Sequence, residues 1–319
     1  MVPPAATTTA PMVPVEELGR GKRQRTQSVK LKEFVVNTGN RKSKSNSGSN
    51  STSEYPIANY VACERFSTQH QAYFAAITSG VEPKSFKQAA KDEKWNNAMS
   101  SEIDAQERNH SWTIEELPKG KQAIGSKWVY KLKYKSDGTL ERHKARLVAL
   151  GNKQIEGVDY GETFAPVAKM GIVRLFLDTA VKNNWDVHQM DVYNAFLHGD
   201  LEEEIYMKLP PGFKASDLNK VCRLRKSIYG LKQSPRCWFS KLSTSLKEYG
   251  FEQNLLDYSL FTLDKPGVQL RVLVYVDDLI ISANTVATMG DFKDYLSACF
   301  HMKDLGPLKY FLGIEVARN

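Results

Sequence analysis

Cysteine is scarce, with four in 319 residues, at positions 63, 222, 237 and 299. None forms a CxxC pair, which excludes a disulfide scaffold and argues against a zinc knuckle. The four read as buried thiols of a reducing compartment. Long apolar runs are missing too. The longest lies near Val272–Val276, far short of the ~20 residues that cross a bilayer, so no membrane partner is expected. The first residues carry no basic start followed by an apolar stretch, and no secretion signal is expected. There is no G-x-x-x-x-G-K-[ST] loop, which removes a helicase-like phosphate-binding enzyme. There is no Gly-rich βαβ fingerprint and no internal repeat.

What is present is enough hydrophobic residue, 41%, to bury a core, alongside 25% charged residues. The net charge of +8 is uneven: residues 1–53 hold nine Lys/Arg against three acids, and residues 54–319 are nearly balanced. Residues 1–53 contain one aromatic, Phe34, and are rich in Pro, Thr, Ser, Asn and basic residues. Such a segment buries too little apolar surface to offset chain entropy and is expected to be disordered. Its cluster Arg20-Gly21-Lys22-Arg23-Gln24-Arg25 is either a solvated linker or a nucleic-acid or nuclear-targeting patch.

Order is expected from about Tyr55–Tyr60. Residues 54–111 read as a linker with one amphipathic helix after Pro83. Ser85 and Gln88 suit a capping box, and Trp95, Met99 and Ile103 recur at i+4. Then the period becomes two. Lys127–Lys135 and Thr139–Val148 flank Asp137-Gly138 and predict a hairpin. Lys131, Lys133 and Lys135 share one face of its first strand, and Arg142, Lys144 and Arg146 one face of its second. That basic face is either a phosphate clamp or an ordinary solvated surface. Helices are expected over residues 172–182, stopped by Asn183-Asn184, and over Trp238–Tyr249, with Gly250 as its C′ residue. Strands are expected at Trp185–Asp191, Ser259–Leu263, Gln269–Tyr275 and Leu279–Ser282. The fold class is α+β rather than doubly wound.

The chemistry is concentrated at Asp277-Asp278, which interrupts an apolar run from Val272 to Ser282. Adjacent carboxylates repel, and burying them unpaired is costly. Either a turn leaves both in solvent, or a hard divalent cation accepts their oxygens. Asp191, at the end of the strand Trp185–Met190, is a second carboxylate of the kind that nucleotidyl transfer on two metals requires from another strand.

At these residues the chain resembles the reverse transcriptase of copia-type LTR retrotransposons, encoded within a Pol polyprotein. The resemblance covers residues 112–319 and rests on eight ordered blocks: Lys127-Trp-Val-Tyr-Lys131; Arg142-His-Lys-Ala-Arg-Leu-Val148; Glu162-Thr-Phe-Ala-Pro-Val167; Gln189-Met-Asp-Val-Tyr-Asn-Ala-Phe-Leu-His-Gly199; Leu209-Pro-Pro-Gly-Phe213; Ser227-Ile-Tyr-Gly-Leu-Lys-Gln-Ser-Pro-Arg236; Tyr275-Val-Asp-Asp278; and Leu305-Gly-Pro-Leu-Lys-Tyr-Phe-Leu-Gly-Ile-Glu315.

The resemblance implies a right-hand polymerase with fingers and an antiparallel palm sheet. It implies RNA-directed DNA synthesis from dNTP on an RNA or DNA template with its primer, and two Mg²⁺ ions, which Mn²⁺ can replace. Asp191, Asp277 and Asp278 match the catalytic aspartates, and the carbonyl of Val192 joins Asp191 and Asp277 as a metal ligand. Phe196 matches the steric gate against a ribose 2′-hydroxyl. Tyr229 and Gly230 match the loop over the incoming nucleotide. Lys131 or Lys133, with Lys144 or Arg146, would hold the triphosphate. Phe311, Leu312 and Gly313 match the primer grip. His143, His188 and His198 are expected as surface or packing residues.

Asp178 departs from the family, which places an apolar or small residue there. The chain ends at Asn319, so the fingers and palm over residues 112–319 are expected to be truncated near the primer grip, without thumb and connection, and the remaining Pol parts, integrase and RNase H, are expected as partners. The implied location is intracellular, in a cytoplasmic virus-like particle or the nucleus. The alternative is a non-catalytic nucleic-acid-binding remnant of a degenerate element.

Overall fold

The computed structural model describes residues 68, 80–135, 137–213 and 220–317. The expectations for the basic tail, for Cys63 and for the onset of order at Tyr55–Tyr60 lie outside the described residues. The chain divides into two units, residues 1–50 and 51–319, and the described residues all belong to the second.

Two helices, rather than one, follow Pro83: α1 (Phe86–Ala89) and α2 (Glu93–Arg108). Ser85 caps the first, accepting from the Gln88 amide. Asp92 caps the second, accepting from the Lys94 amide at 2.9 Å. This second cap is why the helix restarts. The stripe of α2 buries Trp95 and Met99 as expected, while Ile103 is only half-buried. It also buries Glu102 and Gln106, two polar residues that the apolar pattern did not single out.

Next comes the hairpin, β3 (Ser126–Tyr134) with β4 (Leu140–Ala149), preceded by β1 (Trp112–Glu116) and β2 (Ala123–Ile124). Its register sets Lys131 opposite Lys144, Lys133 opposite Arg142 and Val129 opposite Arg146, so both basic rows share one face. The other face presents Tyr130 and Ala145, which pack with Trp95 and Met99 of α2.

Further along are α3 (Met170–Lys182), β5 (Asp186–Val192), β6 (Asp200–Lys208), β7 (Lys220–Lys226) and α4 (Ser234–Tyr249). They are followed by β8 (Glu252–Gln253), β9 (Leu260–Lys265), β10 (Val268–Tyr275), β11 (Asp278–Ala283) and α5 (Val286–Cys299). Last come β12 (Met302–Pro307), β13 (Tyr310–Phe311) and β14 (Ile314–Glu315). One sheet runs β1-β7-β6-β2, closed by a parallel β2–β6 pair. The larger runs β12-β5-β11-β10-β9-β8, and every pairing in it is antiparallel. The chain is thus a mixed α/β fold.

The larger sheet is covered on both faces. Val272, Val274, Leu279 and Ile281 pack with Trp238, Leu242 and Leu246 of α4 and Phe292 and Leu296 of α5. Val187, Leu273 and Ile280 pack with Val173, Phe176 and Ala180 of α3. This explains why β10 and β11 read as continuous apolar runs rather than alternating ones. Each such side chain, when fully buried, contributes about 1.5–3 kcal/mol.

Helix α4 begins four residues earlier than expected, because Pro235 sits in its first turn, where its missing N–H costs nothing. It ends at Gly250 in the left-handed region, as expected. Asp178 lies on the exposed side of α3, paired with Lys182 at 2.6 Å, so its charge meets solvent rather than core. Cys222 and Cys237 are buried thiols, but Cys299 is exposed at the last turn of α5, correcting the expectation that all were buried.

Candidate active site

The β10–β11 hairpin closes with Tyr275 opposite Asp278, leaving Val276-Asp277 as a two-residue turn. Such turns want positive φ at the first turn position. Val276 supplies it with φ +56, although a β-branched residue disfavours that region. The turn is held from outside: Trp238 Nε1 donates to the Val276 carbonyl at 2.7 Å. The Asp277 carbonyl accepts from the Val192 amide at 2.9 Å, tying the turn to the end of β5. Asp278 opens β11 directly opposite Asp191 of β5. On its other side Asp191 faces Lys303 of β12.

Three acids separated by 86 residues in sequence therefore meet at one end of adjoining strands. All three are half-buried. Burial, and then the charge of Asp277, pushes the Asp191 carboxyl above its ordinary value, against the pull of Lys303, Lys144 and Arg146. Burial also raises Asp278, opposed by the Gln189 amide that donates to its Oδ1 at 3.1 Å, and aided by Asp277 and Asp191. Among the described residues, no three His, Cys, Asp or Glu side chains stand grouped as a ready-made metal cluster. The donor chemistry still fits a hard cation. The carboxylates are half-buried and mutually repelling, and an ion that keeps open positions for phosphate needs only two or three protein oxygens.

Beside the acids, Phe196 lies in a short 3₁₀ turn (Ala195–His198) and meets the Tyr229 ring edge-on at 5.1 Å. The Arg146 guanidinium sits 4.5 Å over that same Tyr229 ring. Burial raises the Tyr229 hydroxyl to about 12. Lys144, two residues along the same face, is pushed down to about 8 by burial and by Arg146, Arg142 and Lys133. Of the four candidates Lys131, Lys133, Lys144 and Arg146, the charges of Arg146 and Lys144 reach Asp191. Lys131 is instead paired with Glu82 at 2.8 Å, and Lys133 is exposed.

Gly230 has a reason of its own. Its φ is +94, and a Cβ there would stand 2.2 Å from the Ala149 carbonyl, so β4's backbone is what demands glycine. Phe311 is a core residue, edge-on to Tyr275 at 6.0 Å, and the turn after it is Leu312-Gly313. His143 packs on Trp95, and His198 on Trp238 and Phe300. His188 Nδ1 lies 2.6 Å from Lys293 Nζ.

Sequence reasoning passed over Gln189 and Lys303. Gln189 stands two residues before Asp191, on the same strand face, so alternation carried a signal. Nothing local marks Lys303, which reaches Asp191 only through strand pairing.

The acid-bearing hairpin thus stands in an antiparallel sheet, near the basic side chains Lys144 and Arg146 and the aromatic ring of Tyr229. Residues 109–319 match the family model described as "Reverse transcriptase (RNA-dependent DNA polymerase)", and the chain belongs to that family. It is 45% identical over 252 residues to the retrovirus-related Pol polyprotein from transposon RE2 of Arabidopsis thaliana, covering 78% of this chain and 17% of that protein. To the corresponding polyprotein from transposon RE1 it is 47% identical over 245 residues, 76% of this chain and 17% of the relative. To that from transposon TNT 1-94 of Nicotiana tabacum it is 40% identical over 251 residues, 77% and 19%. These are copia-type elements. The chain thus spans under a fifth of the length of each of these three relatives. No helix among the described residues is long and apolar enough to cross a membrane.

Proposed function

We propose that the chain is the fingers and palm of an RNA-directed DNA polymerase that joins a dNTP to a primer 3′-hydroxyl. The six-stranded sheet with its two helix layers corresponds to the palm, and the β3–β4 hairpin to the fingers. The observation that carries this reading is the register placing Asp191 opposite Asp278, with the Asp277 carbonyl on the Val192 amide.

Asp191 and Asp277, with the Val192 carbonyl, would hold one Mg²⁺, and Asp278 would face the primer end. Two bound ions supply neutralisation of the triphosphate and acidification of the attacking hydroxyl. Arg146 and Lys144 bind the triphosphate, a role that the half-buried Lys144 fills as a cation below its pKa of about 8. Phe196, braced by Tyr229, excludes a ribose 2′-hydroxyl. Tyr229 and Gly230 shape the nucleotide floor, and Leu312-Gly313 contacts the primer strand. The template, the RNase H and integrase parts of Pol, and an intracellular setting complete the reading.

Primer extension with Mg²⁺ tests it. Wild type extends, Asp277→Asn does not, and Phe196→Ala incorporates ribonucleotides more readily. A wild-type chain inert with both Mg²⁺ and Mn²⁺, yet still binding primer–template, makes it a nucleic-acid-binding remnant.

A further inference from the structure

Helix α2 ends at Arg108, just before the family match begins at residue 109. It packs against β4 and buries a carboxylate there: Glu102 is 7% exposed. Glu102 Oε1 accepts from the Leu147 amide at 3.3 Å and from Gln106 Nε2 at 3.2 Å. The hairpin is a two-stranded sheet, so β4 has a free edge. Two residues on, the Ala149 amide donates to the Tyr229 carbonyl at 2.8 Å. Leu147 and Ala149 are alternate residues, so both amides point off the same edge. Glu102 and Tyr229 are thus neighbouring docks for one strand edge. Immediately before the first of those amides, Arg146 projects from the face opposite Leu147 and lies over the Tyr229 ring, its Nε buried without a partner.

Resting on the polymerase reading above, we infer that Glu102 is a positioning residue for nucleotide binding: it pins the outer edge of β4 so that Arg146 stands over Tyr229, aimed at the triphosphate. A carboxylate does this without touching substrate. An unpinned edge lets β4 slide relative to the Tyr229–Gly230 loop, and the guanidinium leaves its place.

The test uses the full chain with three variants. Glu102→Gln keeps the acceptor, Glu102→Asp withdraws it by one methylene while keeping the charge, and Glu102→Ala removes it. Readouts are calorimetric binding of dTTP with Mg²⁺, KM and kcat for dTTP in primer extension, and circular dichroism. Losing an aligned acceptor predicts about a fivefold or greater rise in dTTP Kd and KM for the Asp and Ala variants. Their kcat should change less than twofold, and Gln should behave as wild type. If Ala fails to fold, the Asp variant decides. Asp binding dTTP like wild type, or kcat falling with KM constant, overturns the inference. Wild type that binds no dTTP overturns the polymerase reading and, with it, this one, whereas wild-type binding with all variants equal sinks Glu102 alone.

Discussion

Replacing Val276 by glycine isolates the strain stored at the acid-bearing turn. In the left-handed region an L-residue costs about 1–2 kcal/mol, and a β-branched one sits there rarely. Glycine removes that cost. Against it stand the extra entropy of an unfolded glycine, about 0.5–1 kcal/mol, and the lost burial of a half-exposed valine, about 1 kcal/mol. The terms nearly cancel, so Val276→Gly should change stability by less than about 1 kcal/mol in either direction. Val274→Gly, two residues earlier, is the control. Val274 is 1% exposed, and it pairs with Leu279 in the sheet. There the burial, cavity and entropy terms all oppose glycine, and the cost should be about 3–4 kcal/mol. Urea unfolding followed by tryptophan fluorescence measures both, since Trp238 touches the turn. Equal destabilisation by the two substitutions would refute the claim that Val276 is strained.

Two further outcomes follow from burial and close approach. Glu102 has its carboxyl raised above 4.5 by desolvation. A raised carboxyl binds its proton more tightly folded than unfolded. Its stabilising contribution is therefore complete below the unfolded pKa and is lost as pH climbs through the folded one. Glu102→Gln should gain Tm over wild type near pH 8 and lose that gain near pH 4, because an amide carries no ionisation penalty. A gain independent of pH between those values contradicts the burial argument. Gly230→Ala sets a Cβ 2.2 Å from the Ala149 carbonyl at φ +94 and should cost about 3 kcal/mol or more. A melting curve indistinguishable from wild type would mean that the β4 contact is loose.

Much of this was legible in the residues. The β3–β4 hairpin follows from period-two alternation around Asp137-Gly138, and α3 from its apolar spacing and the Asn183-Asn184 stop. Asp277-Asp278 stood out because two carboxylates break a run that otherwise belongs in a buried sheet. Each of these signals is carried by neighbours within a few positions, where backbone preference and side-chain period act directly.

What the residues left open depended on distant pairing. A strand pattern says which side chains share a face but not which strand lies opposite, and a slip of one residue reverses the face. The charges of Arg146 and Lys144 reach Asp191 because β4 docks against Tyr229, while Glu82 takes Lys131. The apolar spacing of its helix does not single out Glu102, because only β4, paired far along the chain, covers it and supplies an amide to bind. Val276 is an unfavourable choice for a tight turn, and Trp238 and Val192, far off in sequence, hold that turn in place. Local sequence determined the β3–β4 hairpin, α3, the end of α4 and the strands β5, β10 and β11; the meeting of Asp191 with Asp277 and Asp278 was decided by contacts across 86 residues, whose free energy exists only once the sheet has formed.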